Sequence, residues 1–336
     1  MKRVLLPLLL VTWLAQPSTA VPRTEPLQAR QWGLTQIHAA EAWPTSTGKG
    51  VVVAVIDSLV DGSHRDLRGA VLPGIDLTGN GRYGNGVDQY SWHATAIAGV
   101  IAARRNGVGI AGVAPDAMIL PIRIGVGATI DGNLMPKAIR YAVDRGAKVI
   151  SISIGLVAPV GPVVTATGLF DEDTAAIEYA WQHDVVVVAA AGNNSVPYCD
   201  PPAALARVVC VGALSKSATR ASYSQGSSLD GDYLMAPSGD STFTGNDDDV
   251  LLTTTPGTVE GIAGNAATGE WTESDGTSFA APHVAAVAAL LRQRGLSAAR
   301  TVACLESSAT DLGVPGVDPL YGYGEVNASA AVRCKA

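Results

Sequence analysis

Residues 51–58 read Val51-Val52-Val53-Ala54-Val55-Ile56-Asp57-Ser58, a largely β-branched run that ends in a carboxylate. A continuous apolar run of this length is typical of a parallel strand buried on both faces. Such a strand delivers the residue at its end to the edge of the sheet. Asp57 is therefore a candidate acid at that edge.

Further strand-like runs alternate with helical patterns along the chain. The strands begin at Met118, Val149, Val185 and Val208, and the helices cover residues 136–145 and 173–183. This alternation predicts an α/β fold with a doubly wound parallel sheet and helices on both faces. The 336 residues include 37 glycines and only 3 phenylalanines, so the core has to be built from small and β-branched side chains. A single large domain suits this length.

Residues 276–285 read Gly-Thr-Ser-Phe-Ala-Ala-Pro-His-Val-Ala and lead into an apolar, alanine-rich run. Gly276 allows a tight backbone approach, and the run that follows indicates a buried helix. Ser278 then lies at the helix N-terminus, where free N–H groups and the positive end of the dipole favour an oxyanion. A lone serine in such a turn is more often only a helix cap, and a nucleophilic hydroxyl needs a base and an orienting acid.

Two other segments supply the missing groups. His93 begins a small-residue helix in an otherwise mostly apolar stretch and is the candidate base. The buried-strand run 185–191 ends in Gly192-Asn193, and the Asn193 amide is a candidate donor to an oxyanion, with a simple turn residue as the alternative. We expect structural or solvated roles for the remaining histidines, which are His38, His64, His183 and His283.

These four blocks, in the order acid, histidine, serine, resemble the subtilisin-like serine protease family. The resemblance runs from about Gln28 to near the C-terminus and includes residues 109–115, 149–153, 211–213 and 235–237. That chain order is the known order of subtilisin. An unrelated α/β esterase is disfavoured because no Gly-x-Ser-x-Gly elbow surrounds Ser278 and its acid would follow the serine in sequence.

The resemblance implies a serine endopeptidase that forms an acyl-enzyme. In that mechanism His93 takes the proton of Ser278, Asp57 orients His93, and Asn193 with the Ser278 N–H binds the oxyanion. Three neighbouring positions depart from the family pattern, which has glycine at Leu59 and Ala94 and histidine at Ala96. These departures leave open a catalytically impaired homologue that acts as a peptide-binding module.

The resemblance also implies where a substrate binds. Residues Ser153, Ile154, Gly155, Ala191 and Gly192 would line a mostly apolar pocket for the side chain that precedes the scissile bond. The substrate would add as an extended strand between residues 153–155 and residues 130–132. Leu156 stands where a second glycine is common in the family, which affects the shape of the subsite.

A structural calcium ion is a further implication of the resemblance. In the family, a loop inserted after the histidine helix wraps one Ca²⁺ with carbonyl and side-chain oxygens, the ligands that this ion prefers. The matching side chains in this sequence are Gln28, Asp66 and Asn106, and the matching carbonyls are those of Arg104, Val108 and Ile110.

The N-terminus predicts export. Lys2 and Arg3 precede the apolar run 4–14, and Ser18-Thr19-Ala20 offers a cleavage site, so residues 1–20 are typical of a secretory signal peptide. The run is too short to span a membrane, and an uncleaved N-terminal segment is the alternative. We therefore expect a secreted protein without a stable membrane anchor.

The expected domain organisation follows from this boundary. Residues 21–27 form a short N-terminal extension and residues 28–336 a peptidase domain. Because little chain is left for an inhibitory propeptide domain, the protein resembles mycosin-type bacterial members in that respect. A glycan on the sequon at Asn193 would block the proposed oxyanion site, which favours a bacterial host.

The charge of the chain limits the partners that can be expected. The net charge of -7 and the absence of long basic clusters argue against nucleic acid or acidic membranes as partners. A monomer that acts on proteins or peptides is expected.

Four cysteines in a secreted chain favour bridges Cys199–Cys210 and Cys304–Cys334, with free buried thiols as the alternative. No Cys-x-x-Cys spacing supports a metal site.

Overall fold

The computed structural model describes residues 24–79, 92–126, 129–155, 168–226, 231–241, 249, 251–254 and 270–335. The predicted signal peptide and Leu156 lie outside these residues.

A seven-stranded sheet forms the centre of the molecule, with the order β2-β3-β1-β6-β7-β8-β9. Its strands are β1 Val52–Asp57, β2 Ile75–Asp76, β3 Met118–Arg123, β6 Val149–Ile152, β7 Val186–Ala190, β8 Val208–Leu214 and β9 Tyr233–Pro237. Every neighbouring pair in it is parallel. Two antiparallel hairpins add β4 Gly125–Val126 with β5 Thr129–Ile130, and β10 Leu251–Thr254 with β11 Trp271–Ser274. The predicted parallel sheet is confirmed.

Helices cover both faces of this sheet. They are α1 Trp32–Gln36, α2 Ala39–Ala42, α3 Trp92–Ala102, α4 Met135–Asp144, α5 Asp171–Gln182, α6 Thr277–Gln293, α7 Ala298–Ser307 and α8 Ala328–Ala331. Two short 3₁₀ turns cover Gln28–Arg30 and Gly132–Leu134. Helices α3 and α6 share one core cluster with the sheet, and α4 and α5 share the other. The doubly wound arrangement is therefore confirmed.

Strand β1 illustrates how the sequence fills both clusters. Val53 and Val55 face α3 and α6, while Ala54 and Ile56 belong to the cluster of α4 and α5. Successive side chains of a strand point to opposite faces, so a strand between two layers has to be apolar at every position. Asp57, the last residue of β1, is the first polar one.

Helix α6 is apolar nearly all round because it lies inside the protein. Its alanines and leucines from Ala280 to Leu291 are fully buried between the sheet and the helices α3 and α7. The buried helix predicted after Ser278 is confirmed. Among the described residues, no helix is long and apolar enough to cross a membrane.

The cysteines pair only in part as predicted. Cys199 and Cys210 form a disulfide, as expected. The second predicted bridge is wrong for this structure, because Cys304 and Cys334 are free thiols. Burial and the hydrogen bond to the Cys334 thiol raise the pKa of Cys304 to about 11.

Candidate active site

Three strands and two helices converge on one cleft at the carboxyl edge of the sheet. Asp57 ends β1, Ser153 follows β6, and Asn193 lies just beyond β7. His93 and Ser278 are each the second residue of a helix, α3 and α6 respectively. Ligands of open α/β sheets bind at this edge, so the fold brings the predicted residues to the place where chemistry is expected.

The Asp57 carboxylate holds the His93 ring with both oxygens. His93 Nδ1 lies 2.9 Å from Oδ2 and 3.0 Å from Oδ1 of Asp57. The Asp57 side chain is 2% exposed and that of His93 is 26% exposed, so the pair is shielded from water on the acid side. Oδ1 also accepts the Ser58 N–H at 2.6 Å. With Nδ1–H donating to the acid, Nε2 is the nitrogen free to accept a proton.

The environment of His93 acts on its basicity in two directions. Burial lowers the pKa of His93, but the charge of Asp57 and the hydrogen bond to it outweigh burial, so the pKa of His93 is raised from its ordinary value. The charged imidazole that forms when His93 takes a proton is thereby stabilised.

The hydroxyl of Ser278 is held by the end of β6. Ser278 Oγ donates to the Ser153 carbonyl at 3.0 Å, and Ser153 Oγ donates to the Ser278 carbonyl at 2.8 Å. No hydrogen bond joins Ser278 to His93 within the described part of the chain, although the His93 ring packs edge-on against Phe279 at 5.7 Å. Rotation of Ser278 about its Cα–Cβ bond is needed to turn the hydroxyl toward the imidazole, as is common without substrate.

Asn193 is oriented by the turn that leads into α6. Its Oδ1 accepts both the backbone N–H and the hydroxyl of Thr277 at 2.9 Å. Its Nδ2, the only donor of the side chain, is therefore directed away from Thr277 and is left to donate elsewhere. Gly276 has φ +126°, and a Cβ there would lie 3.6 Å from Asn193 Nδ2. Since this φ is unfavourable for L side chains, glycine is required where the chain turns into the helix.

The three departures from the family pattern are accommodated without backbone strain. Leu59 is buried and is not among the non-glycine residues with positive φ. Ala94 and Ala96 are buried in α3, where the Ala94 N–H donates to Ser58 Oγ at 3.3 Å and the Ala96 carbonyl accepts from Thr253 at 2.6 Å. Leu59 therefore does not need the left-handed conformation that a glycine at this position could adopt.

The two segments expected to line the substrate pocket enclose an acid that sequence analysis missed. Asp200 is 2% exposed, and its Oδ2 lies 2.5 Å from the position a Cβ on Gly192 would take and 3.5 Å from that on Gly155. Burial raises the pKa of Asp200, and the Gln225 side chain offsets this in part. In the sequence, Asp200 follows Cys199 and precedes two prolines, and nothing in this pattern indicates a role for its carboxylate.

A small cavity of about 20 Å³ lies beside Ile154. Ile130, Phe170 and Pro202 line it together with the carboxylate of Asp173. Burial and the charge of Glu172 raise the pKa of Asp173 to about 6. The segment 130–132, expected to flank a substrate strand, borders this cavity.

Two buried acids lie beside the loop expected to hold calcium, and each has one carboxylate oxygen without a hydrogen-bond partner. Asp66 is fully buried, and its Oδ2 accepts from Ile110 N–H at 3.0 Å and Trp271 Nε1 at 2.7 Å, while Oδ1 has no partner. Glu25 is 2% exposed, and its Oε2 accepts the Gly107 N–H at 2.7 Å, while Oε1 has no partner. Burial raises the pKa of both carboxyls, and the charge of Asp66 adds to this effect at Glu25.

The other residues predicted as calcium ligands already take part in hydrogen bonds within the protein. Asn106 Oδ1 accepts the Val108 N–H at 3.0 Å, and the Arg104 carbonyl accepts the Asn106 N–H at 3.0 Å. Gln28 is half-buried, and its Oε1 accepts a hydrogen bond from the Glu25 N–H at 3.4 Å. The Arg104 guanidinium turns away to the carbonyls of Pro115 and Gly69. Two acids with orphaned oxygens fit a hard divalent cation, and Glu25 is a candidate ligand that sequence analysis missed.

The remaining histidines have structural partners or lie at the surface. His283 is buried in α6, its Nδ1 contacts the Phe279 carbonyl at 2.8 Å, and burial lowers its pKa to about 4. His64 is buried between the Asp66 N–H and the Glu270 carbonyl. His38 is exposed at the start of α2, and His183 contacts the Tyr179 carbonyl at the end of α5.

A parallel α/β fold that gathers an acid, a histidine and a serine at one strand edge is typical of a serine hydrolase. The subtilase family model matches residues 48–324 of this sequence. The chain belongs to the subtilase family, and it is a serine-type endopeptidase that acts on proteins or peptides.

The relatives match along nearly the whole chain. Thermitase from Thermoactinomyces vulgaris is 34% identical over 321 residues, which cover 93% of this chain and 99% of thermitase. Subtilisin Savinase from Lederbergia lenta is 33% identical over 316 residues, which cover 91% of this chain and 100% of Savinase. The crystal structure of a lanthipeptide protease superposes with a TM-score of 0.78 at 31% identity, covering 92% of this chain and 95% of the other.

Proposed function

We propose that Ser278 is the nucleophile of this endopeptidase and that His93 and Asp57 activate it. The paired contact between His93 Nδ1 and the Asp57 carboxylate carries the proposal, because it leaves Nε2 as the proton acceptor. Ser278 Oγ attacks the peptide carbonyl as its proton passes to Nε2, which then protonates the leaving amine. Water hydrolyses the acyl-enzyme by the same route.

Asn193 and the backbone N–H of Ser278 are the proposed oxyanion donors. Thr277 fixes the Asn193 amide through its oxygen, so Nδ2 is preorganised as a donor before substrate arrives. A donor that needs no reorganisation typically contributes about 3 kcal/mol to stabilisation of the transition state. The substrate backbone adds beside Ser153, Ile154 and Gly155, and Ala191 with Gly192 forms the opposite wall of the pocket.

The alternative, a peptide-binding homologue without catalysis, has less support. It was motivated by Leu59, Ala94 and Ala96, and these residues are accommodated by ordinary backbone and buried contacts. All four chemical groups of the proposed mechanism are present. A homologue that only binds peptides needs neither an acid that orients the His93 imidazole nor an Asn193 amide held in position by Thr277.

A structural Ca²⁺ is proposed for the loop after α3. Glu25 and Asp66 supply the charge, Asn106 a side-chain oxygen, and the backbone of Arg104, Val108 and Ile110 the carbonyls. When bound, the ion supplies no step of the chemistry and only links the N-terminal segment to this loop. The two orphaned carboxylate oxygens support the proposal.

Export is proposed as well. Residues 1–20 carry the charge, apolar run and small residues of a signal peptide, and the Cys199–Cys210 disulfide suits an oxidising compartment. The proposed protein is a secreted, monomeric bacterial endopeptidase.

Cleavage of an unstructured protein tests the proposal. The wild type should generate new amino termini from reduced casein, whereas Ser278→Ala and His93→Ala should bind the chain without cleaving it. Ser307→Ala, which removes an exposed hydroxyl elsewhere, is the matched control and should cleave like the wild type. Binding without cleavage by the wild type itself would establish the peptide-binding alternative.

A further inference from the structure

A carboxylate that the proposed reaction does not use lies against both walls expected for the substrate pocket, residues 153–155 and residues 191–192. Asp200 Oδ1 has no hydrogen-bond partner and is sealed from water. A buried carboxylate oxygen without a partner is costly, so the missing partner of Oδ1 calls for an explanation.

The position of Asp200 is fixed by its backbone and by both pocket walls. Its N–H donates to the Ala191 carbonyl at 2.8 Å, and the preceding Cys199 is tied to β8 by the disulfide. Gly192 has φ +109°, and any Cβ there would collide with Asp200 Oδ2 at 2.5 Å. The missing side chain at Gly192 therefore leaves the carboxylate next to the pocket wall.

Both walls are hydrogen-bonded to the segment that carries Ser278, the proposed nucleophile. The Gly192 N–H donates to Thr277 Oγ1 at 3.1 Å, immediately before Ser278. On the other side, Ser153, two residues before Gly155, accepts the Ser278 hydroxyl at 3.0 Å. A side chain that enters between these walls next to a carbonyl at Ser278 points toward Asp200.

We propose that Asp200 makes this pocket selective for arginine or lysine as the residue immediately before the scissile bond. The inference rests on the proposed role of Ser278 and names the substrate class of that same site. An acid at the base of a specificity pocket selects a basic side chain. The guanidinium or ammonium group supplies the donor that Oδ1 lacks and the opposite charge.

The surroundings of Asp200 support a cationic partner from outside the chain. Only a neutral amide, that of Gln225, offsets the effect of burial on the pKa of Asp200. The adjoining cavity carries Asp173, with Asp171 and Glu172 beside it. The cleft is therefore negatively charged where the substrate segment before the cleaved bond would lie, which favours the approach of basic peptides. On this proposal the pocket is acidic, whereas the family resemblance implies a mostly apolar one.

Internally quenched peptides that differ only at the residue before the cleaved bond provide the test. Arginine and lysine peptides should exceed citrulline and leucine peptides by about 100-fold in kcat/KM, since citrulline keeps the shape of arginine without its charge. Asp200→Asn should abolish most of that preference. Glu41→Gln, which neutralises an exposed acid on α2, should keep it. A wild type that prefers leucine or phenylalanine, or an Asp200→Asn variant that still prefers arginine, would overturn the inference.

Binding of 4-aminobenzamidine separates this inference from the proposed catalytic role. Wild type and Ser278→Ala should both bind this aromatic amidine, and Asp200→Asn should bind it at least about tenfold more weakly. Asp200-dependent binding without hydrolysis of any peptide would contradict the role of Ser278 while supporting the pocket assignment. Hydrolysis of leucine peptides without amidine binding would support Ser278 and overturn the role of Asp200.

Discussion

At the scale of single residues, the side chains of His93 and Asn193 are each oriented by a neighbour. The Asp57 carboxylate holds Nδ1 of His93, and Thr277 holds Oδ1 of Asn193. In both side chains one polar atom is occupied by the protein and the other is left for substrate. In the proposed mechanism this division decides which atom accepts the proton and which donates to the oxyanion.

Asn193→Ala is predicted to lower kcat with little change in KM. The side chain is proposed to donate only to the charge that develops in the transition state, so its removal leaves substrate binding largely intact. A loss of about 10²- to 10³-fold in kcat is the usual size for one oxyanion donor. Steady-state kinetics with Asn194→Ala, the exposed neighbour, as control measures this; an equal loss in both variants would contradict the assignment.

The pH dependence of kcat/KM is predicted to report His93. Activity needs the neutral imidazole, so it rises with pH through the pKa of His93, and the raised pKa places this limb above the ordinary value of about 6.5. In Asp57→Asn the group that raises the pKa is lost while burial still lowers it. The limb should therefore move to lower pH and kcat should fall by about 10⁴-fold.

Asp116→Asn, which neutralises an exposed acid elsewhere, is the control for this pH profile and should leave the limb in place. An Asp57→Asn limb at the wild-type pH would show that Asp57 does not set the basicity of His93.

Residue roles were predicted from the sequence where the local pattern carried the chemistry. Asp57 ends a buried strand and His93 and Ser278 begin buried helices, so each was recognisable from its own segment. Glu25 and Asp200 were missed because nothing in their segments marks them. Their significance comes from burial beside Gly107 and Gly192, which only the tertiary structure brings about.

At the scale of elements, length and burial decided which parts were predictable. The strands β1, β3, β6, β7 and β8 are continuous apolar runs, because helices cover both of their faces. The two-residue strands β2, β4 and β5 are too short to show periodicity, and β10 and β11 pair as a hairpin outside the main sheet. Strand β2 pairs with β3, and β10 with β11, across longer separations in sequence, which a local pattern does not encode.

Calcium is predicted to stabilise the loop after α3 through Glu25. Ligand at 100 times its dissociation constant stabilises a fold by about 2.7 kcal/mol, which corresponds to about 4 °C in Tm for a chain of this size. Glu25→Gln should lose most of this calcium-dependent increase because it removes one of the two charges in the loop. Gln28→Ala is the comparison, and thermal unfolding with calcium or with chelator is the measurement. The assignment of Glu25 fails if Gln28→Ala loses the increase and Glu25→Gln keeps it.

At the scale of the whole molecule, small side chains allow the layers to pack closely around α6. Its alanines contact β6, β7 and β8 on one side and α3 and α7 on the others. The glycine and alanine content of the sequence predicted such a core, but it did not predict which cysteines would pair. Cys199 and Cys210 are 11 residues apart and bonded, while Cys304 and Cys334 remain thiols.

Loss of the Cys199–Cys210 bridge is predicted to destabilise the fold as a whole. A bridge that closes a loop of this length stabilises by about 2–3 kcal/mol, mainly by restricting the unfolded chain. The double variant Cys199→Ser with Cys210→Ser should therefore unfold at lower denaturant concentration than the wild type. Cys334→Ser, which removes a thiol that forms no bridge, should unfold close to the wild type. Equal midpoints for all three proteins would contradict a stabilising bridge.

The central claim is that Ser278 is an activated nucleophile, and mapping of a fluorophosphonate adduct tests it most directly. The purified, calcium-replete protein is incubated with the probe, digested and analysed by mass spectrometry, next to Ser278→Ala and His93→Ala. The account predicts one adduct, on the peptide that carries Ser278, in the wild type and none in either variant. An adduct on another serine, or a folded wild type that takes up no probe, would contradict it.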